Sequence, residues 1–205
     1  MTKGHFITFE GIDGAGKSTQ LVHAAKFLEN RGIPVLQTRE PGGTLIGEQL
    51  RHLLLDEKSE VHPDTELLMI FAARNEHIEQ VIKPTIESGT TVICDRFTDA
   101  TFAYQGGGSR INNARIETIA SWVQGSFQPD LTLYFDLPIP VAQRRMGNRE
   151  KDRFEAEQYA FHERVRKTYL KRVERAPDRM RLIDSRQNRS KVRMSIESIL
   201  SDLCS

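Results

Sequence analysis

Residues 11–18 read Gly11-Ile12-Asp13-Gly14-Ala15-Gly16-Lys17-Ser18 and satisfy the pattern G-x-x-x-x-G-K-[ST]. This spacing grips the phosphates of a nucleoside triphosphate. The glycines let successive backbone N–H groups turn toward phosphate oxygens, and a helix starting directly afterwards adds partial positive charge. Lys17 can neutralise the outer phosphates, and the Ser18 hydroxyl can ligate magnesium. Such a loop identifies a bound triphosphate without saying where the phosphate goes.

Phosphoryl transfer depends on charge stabilisation and alignment more than on covalent chemistry, so carboxylates and arginines are the groups to seek next. Asp95 closes the apolar run Thr91-Val92-Ile93-Cys94 and can organise magnesium or its waters from a sheet edge. An aspartate capping a turn is the plainer alternative. Arg96 follows and can present its planar fork to phosphate oxygens, with a surface salt bridge as the ordinary alternative. Arg149 and Arg153 lie in a polar stretch at about 147–155. That stretch reads as a mobile lid bringing an arginine to the phosphoryl in transit, or equally as a solvated helical hairpin. Phe71 and Arg74 are three residues apart and share a helical face. Together they can hold a planar base, the ring stacking and the guanidinium donating to its edge. Periodicity alone more often makes such a Phe core and such an Arg surface.

These side chains need a scaffold that gathers them. Apolar runs at 5–9, 33–38, 91–95, 131–136 and 180–184 alternate with helical patterns at about 17–31, 45–56, 64–88, 112–126, 139–147, 154–176 and 189–203. The alternation predicts an α/β fold with five parallel strands covered by helices on both faces. Ligands of such sheets bind beyond the carboxyl ends of the strands. Four polar groups fall there: the phosphate loop, Arg39-Glu40-Pro41-Gly42-Gly43-Thr44, Asp95-Arg96-Phe97 and Asp136-Leu137-Pro138.

A length of 205 residues suits one domain over 1–205 with a small lid. Lys and Arg number 29 against 28 Asp and Glu, a net charge of +1 that gives no case for a nucleic-acid or membrane partner. No stretch approaches the ~18 unbroken apolar residues of a membrane span, and Met1–His5 run into a strand instead of a signal sequence's hydrophobic region. The expected location is cytoplasmic. Cys94 in an apolar run and Cys204 near the end read as reduced thiols, not as a disulfide or a metal site.

The ordered motifs Phe9-Glu10-Gly11-Ile12-Asp13-Gly14-Ala15-Gly16-Lys17-Ser18-Thr19, Arg39-Glu40-Pro41-Gly42-Gly43-Thr44 and Asp95-Arg96-Phe97 resemble the bacterial thymidylate kinase family of P-loop nucleoside monophosphate kinases. The resemblance runs over essentially the whole chain, through Phe71-Ala72-Ala73-Arg74, Ala103-Tyr104-Gln105-Gly106 and Asp152-Arg153-Phe154-Glu155. It implies a three-layer P-loop fold, a homodimer, and transfer of the γ-phosphoryl of ATP to dTMP with magnesium, giving dTDP and ADP on the way to dTTP. By the same resemblance, Gly11 through Thr19 bind ATP, Phe71 stacks on thymine, Arg74 bonds its exocyclic oxygen and Arg96 holds the dTMP phosphate. Asp13 meets the sugar 3′-hydroxyl or the metal shell, Tyr104 lies beneath the sugar, and Thr101 and Gln105 line the thymine pocket. Arg39 and Pro41 shape the acceptor site, and Ser18, Asp95 and Asp13 are the metal candidates.

Some family members carry a catalytic arginine inside the loop, but here that position is Gly14. The sequence therefore resembles the type that supplies it from the lid, through Arg149 or Arg153. Asp13 stands where several relatives have Glu, and Phe97 where Tyr is commoner. Two alternatives remain at this point: a kinase for another nucleoside or nucleotide acceptor, and a GTP-binding switch. The second is disfavoured because no Asn-Lys-x-Asp motif follows the fourth run.

Overall fold

The structure, a computed structural model, describes residues 3–56, 61–147 and 153–204, with the backbone alone at 153–157. Five strands form one sheet: β1 (Phe6–Glu10), β2 (Val35–Arg39), β3 (Thr91–Asp95), β4 (Leu131–Asp136) and β5 (Met180–Asp184). Their order is β2-β3-β1-β4-β5 and every pairing is parallel. The central strands are buried on both faces, which is why they read as continuous apolar runs, whereas the edge strands β2 and β5 are partly exposed. In register, Phe9 and Arg39 both pair with Asp95, and Glu10 pairs with Tyr134. The carboxyl ends of β1, β2 and β3 are therefore level, and the polar groups that follow them meet at one edge.

Side chains alternate across the sheet. Ile7 and Phe9 join Ala24, Ala25 and Leu28 of α1 (Lys17–Glu29) and Val192, Ile196 and Leu200 of α9 (Arg189–Leu203). Phe6, on the opposite face, clusters with Val92, Cys94, Ile78, Ile82 and Ile86. Helices α2 (Leu45–Leu55), α3 (Pro63–His77), α4 (Lys83–Glu87), α6 (Asn113–Gln124), α7 (Ile139–Met146) and α8 (Arg153–Arg175) complete the layers. Pro63 opens α3, where its missing N–H costs nothing, and the Thr44 hydroxyl caps α2 by accepting from the Gly47 amide at 3.0 Å.

Two elements depart from the sequence pattern. The helix expected over 64–88 is interrupted by a π-helical turn at Ile78–Ile82, which keeps the fully buried Ile78 and Ile82 facing the sheet across the junction between α3 and α4. A helical segment absent from the periodicity reading also follows β3. It comprises α5 (Thr98–Thr101) and a π-helical turn at Phe102–Gly108. Its threonines, aromatics and three glycines have poor helix propensity. Tertiary contacts hold it instead: Arg164 of α8 donates to the Gly108 carbonyl at 2.8 Å, and a side chain at Gly108 would collide with the Phe161 ring.

Candidate active site at the carboxyl edge of the sheet

The phosphate loop leaves β1 and ends at α1. Gly14 has a φ of +78°, and a Cβ there would lie 3.0 Å from the Ala142 carbonyl oxygen of α7. A side chain at this position is therefore strained in conformation and crowded by backbone. Lys17 is buried; its Nζ lies 3.4 Å from the Ile12 carbonyl oxygen, 3.9 Å from Asp13 Oδ1 and 4.0 Å from Asp95 Oδ1. Burial lowers its pKa below the usual lysine range, offset in part by Asp95 and Asp13. Ser18 and Thr19 are exposed on the first turn of α1, and Asp95 Oδ1 is buried without a hydrogen-bond partner.

Beside this loop the chain makes a strained turn. Arg96 has a φ of +71°, a left-handed conformation that costs a non-glycine residue ~1–2 kcal/mol. Two buried bonds impose it: the Arg96 amide donates to the Phe9 carbonyl at 3.0 Å, and the Phe97 amide donates to Glu10 Oε1 at 2.8 Å. The turn aims the Arg96 guanidinium at Asp13 Oδ1, 2.6 Å away, and lays it 4.7 Å from the centre of the Tyr104 ring. The other oxygen of Glu10 accepts from the Tyr169 hydroxyl of α8 at 2.7 Å. Burial, reinforced by Asp99, pushes the Glu10 carboxyl up to about 8, against the pull of its bonds to Tyr169 and Phe97.

A cavity of about 160 Å³ opens next to Arg96, lined by Pro41, Ile70, Arg74, Thr101, Tyr104 and Gln105 among others. Arg74 is almost fully buried. Its Nε donates to Glu40 Oε2 at 2.7 Å and its Nη2 to Thr101 Oγ1 at 3.0 Å, while Nη1 has no partner. Glu40 Oε1 accepts from His77 Nδ1 at 3.0 Å, and His77 Nε2 pairs with the Thr38 hydroxyl at 2.8 Å. A buried donor left over at the wall of a cavity is a recognition group for a ligand acceptor.

The expectation that Phe71 stacks on a base is corrected. Phe71 does meet Arg74, its ring centre 4.8 Å from the guanidinium carbon, but it is 1% exposed and packs with Leu67, Phe102, Ile116 and Ala120. It holds the guanidinium and does not line the cavity. The apolar wall comes from Ile70, four residues before Arg74, with Glu66 another four before that. Four-residue steps follow one face of a helix more closely than the three-residue step from Phe71, and the packing of α6 and Phe102 on Phe71 decides which of the two residues meets the cavity.

Other expected residues sit as follows. Arg39 is half exposed and paired with Glu48 at 2.8 Å, so it braces the loop from outside the cavity. Of the expected lid, Arg149 lies outside the described residues and Arg153 opens α8 with its side chain undescribed. The sequence reading missed Glu10, Glu40, His77 and Tyr169, which act through buried bonds between distant segments. It also missed a second cavity, about 440 Å³, between the phosphate loop and the segment after β5. There Arg145 donates to the Ser185 carbonyl at 2.8 Å and lies 3.4 Å from that of Gly14.

The family model described as thymidylate kinase matches residues 9–196. The chain is 54% identical to a thymidylate kinase of Cupriavidus pinatubonensis, covering 98% of this chain and all of that one. It is 51% identical to one of Nitrosomonas eutropha over 98% and 94% of the two chains. A crystal structure of thymidylate kinase from Ehrlichia chaffeensis superposes with a TM-score of 0.77 at 35% identity, covering 97% of this chain and 99% of that one.

Glu10 generates a pH prediction. Between the ordinary carboxyl range and about pH 8 the folded protein holds a proton that the unfolded chain has released, so this group's contribution to stability is lost as pH rises through that window. Glu10→Gln keeps an acceptor for the Phe97 amide without a titrating group. Thermal melts from pH 5 to 8.5 should show a flatter Tm profile for the variant and a higher Tm than the parent at the alkaline end; parallel profiles would refute the assignment.

Proposed function

The chain belongs to the thymidylate kinase family, and on that premise we propose how its residues divide the work of the reaction. The enzyme transfers the γ-phosphoryl of ATP to dTMP, giving dTDP and ADP. The observation that carries the acceptor assignment is the unpartnered, buried Nη1 of Arg74 at a cavity adjoining the Arg96 guanidinium. A pyrimidine carbonyl would satisfy that donor while Arg96 holds the 5′-phosphate.

Within a single domain over 1–205, Gly11 to Thr19 cradle the triphosphate and Lys17 neutralises its outer phosphates. The adenine enters the cavity beside Arg145 and Ser185, whose 440 Å³ lies directly against the loop. On the acceptor side, Ile70 and Thr101 enclose the base, Tyr104 underlies the sugar and the Arg96 it supports, and Asp13 faces both Arg96 and the sugar. The acceptor phosphate is already an anionic nucleophile near neutral pH, so no side chain need remove a proton. Gly14 contributes no side chain to the transfer, and Arg149 or Arg153 supplies a second cation, beside Lys17, to the equatorial oxygens.

Magnesium fits the donor set. A buried Asp95 oxygen lacking a partner and the exposed Ser18 hydroxyl are hard oxygen ligands near the triphosphate lysine, too few for a closed protein cage and suited to an ion that keeps waters and phosphate oxygens. When bound, it supplies charge neutralisation of the β- and γ-phosphates. Asp13, tied to Arg96 and 70% exposed, serves that shell only through water.

A homodimer is supported by an apolar groove of about 520 Å³ lined by Ile46, Leu68, Ile119 and Trp122, between α2, α3 and α6. Trp122 is 84% exposed and Leu68 55%. A second copy of this chain is the occupant we assign, since the groove and the exposed Trp122 and Leu68 form one apolar patch of the kind that marks a protein interface. No helix among the described residues is long and apolar enough to cross a membrane, and the cytoplasm, where ATP and dTMP meet, is the location we infer.

Four tests address these assignments. With ATP and magnesium, coupled ADP release should favour dTMP over dUMP, dCMP, dGMP and thymidine; preference for another acceptor overturns the reading. In the same assay Ile70→Ala should raise the KM for dTMP about 10-fold, whereas Phe71→Ala should chiefly lower the unfolding free energy, by the ~3–5 kcal/mol typical of a buried phenylalanine. Removing a lid cation, by Arg149→Ala or Arg153→Ala, should depress kcat more than it weakens dTMP binding, and effects confined to KM in both variants would count against the lid role. Trp122→Glu should run as a monomer in light scattering at concentrations where the parent is dimeric; an unchanged mass places the interface elsewhere.

A further inference from the structure

Glu66, Ile70 and Arg74 lie on one stripe of α3 and all line the acceptor cavity. Arg74 presents only donors. Across the cavity, Gln105 is 8% exposed, and its Nε2 donates to Glu66 Oε1 at 2.7 Å. A glutamine amide can present either its NH2 or its carbonyl, and its orientation follows from its partners. A carboxylate accepts and does not donate, so it admits only the NH2 on its side. Among the described residues nothing donates to Gln105 Oε1, which is therefore the acceptor this amide has to offer a ligand.

We propose that Glu66 is a specificity-determining positioning residue: by fixing the Gln105 amide it sets a donor from Arg74 and an acceptor from Gln105 on the cavity wall, the pattern that reads thymine and rejects cytosine. This rests on the reading that the base of dTMP occupies this cavity. Thymine carries a carbonyl acceptor at position 4 and an N–H donor at position 3, complementary to the two groups. Cytosine carries an amino donor at position 4 and a bare acceptor nitrogen at position 3, so both contacts become like against like. A site built to match hydrogen-bonding groups discriminates strongly because a mismatched base leaves buried groups unpaired. Arg74 cannot adapt, since Glu40 and Thr101 occupy its other nitrogens. Gln105 could invert, and Glu66 prevents it.

Glu66→Gln is the informative variant, because a glutamine either donates or accepts and so releases the constraint with little change of shape. The ratio of kcat/KM for dTMP to that for dCMP should fall at least about 10-fold, mostly through KM and with dCMP gaining in absolute terms. Gln105→Leu, which removes the amide at similar size, should lower the ratio too, and adding Glu66→Gln to it should change nothing further, as coupling through one amide requires. A merely structural role for Glu66 would lower both substrates together and leave the ratio unmoved. An unmoved ratio alongside a raised dTMP KM in Ile70→Ala overturns this proposal alone. An unmoved ratio together with an unaffected Ile70→Ala overturns the placement of the base as well.

Discussion

A guanidinium taken out of water at Arg74 is the constraint on which the acceptor half of the molecule is built. Burying an unpaired charge costs several kcal/mol, so the chain must bring a carboxylate and further acceptors to it. Glu40 comes from the turn after β2, Thr101 from α5 after β3, and His77 from one helical turn further along α3. Thr38 closes the set on the other side of His77. The aromatic rings of Phe71 and Phe97 cover the guanidinium at 4.8 and 5.0 Å. Satisfying one charge thus fixes three connections against each other, and the space they leave is the acceptor cavity. Three of the five nitrogen-bound protons remain uncommitted to Glu40 and Thr101, and the nitrogen without a partner is the one a ligand can complete.

Helix α8 is tied to the same sheet edge by a different logic. Arg166 forms a two-bond pair with Asp136 at the end of β4, Tyr169 reaches Glu10 at the end of β1, and Arg172 meets Asp99 of α5. These residues recur every three positions, one face of the helix, and each contacts a segment at or beside the carboxyl edge of the sheet. Glu10 is the most consequential of the three. Its carboxyl holds the Phe97 amide, and with it the left-handed turn that aims Arg96, while its second oxygen is committed to α8. The strain at Arg96 is sustained by bonds reaching into both the strand and the helix, as expected where a strained residue serves a site.

The sequence made the donor half legible and the acceptor half only in outline. Phosphate binding relies on backbone amides and on glycine conformations, and those are encoded within eight consecutive residues. The five strands were visible because a doubly covered parallel strand must be apolar throughout. By contrast, the segment 98–108 has a local composition that argues against a helix, and only the approach of α8 onto Gly107 and Gly108 makes it one. Phe71 and Arg74 were correctly brought together by spacing, but spacing does not say which face of a pair meets ligand. Deciding that Phe71 supports the guanidinium while Ile70 faces the cavity requires the positions of α6 and Phe102, elements far away in sequence. Glu10 and Glu40 were overlooked for the same reason: a carboxylate inside a familiar motif carries no local sign of being buried.

Gly14 connects the two halves. Its missing side chain is demanded by the approach of α7, whose Ala142 carbonyl lies where a Cβ would press. Lys17 is the one cation of residues 11–19, and it is buried between Asp13 and Asp95. The anchors of α8 at Glu10, Asp99 and Asp136 all lie in the half nearer its C-terminus. The loop and Arg96 are thus held by separate means, the loop by glycine conformation against α7 and Arg96 by buried bonds that reach β1 and α8.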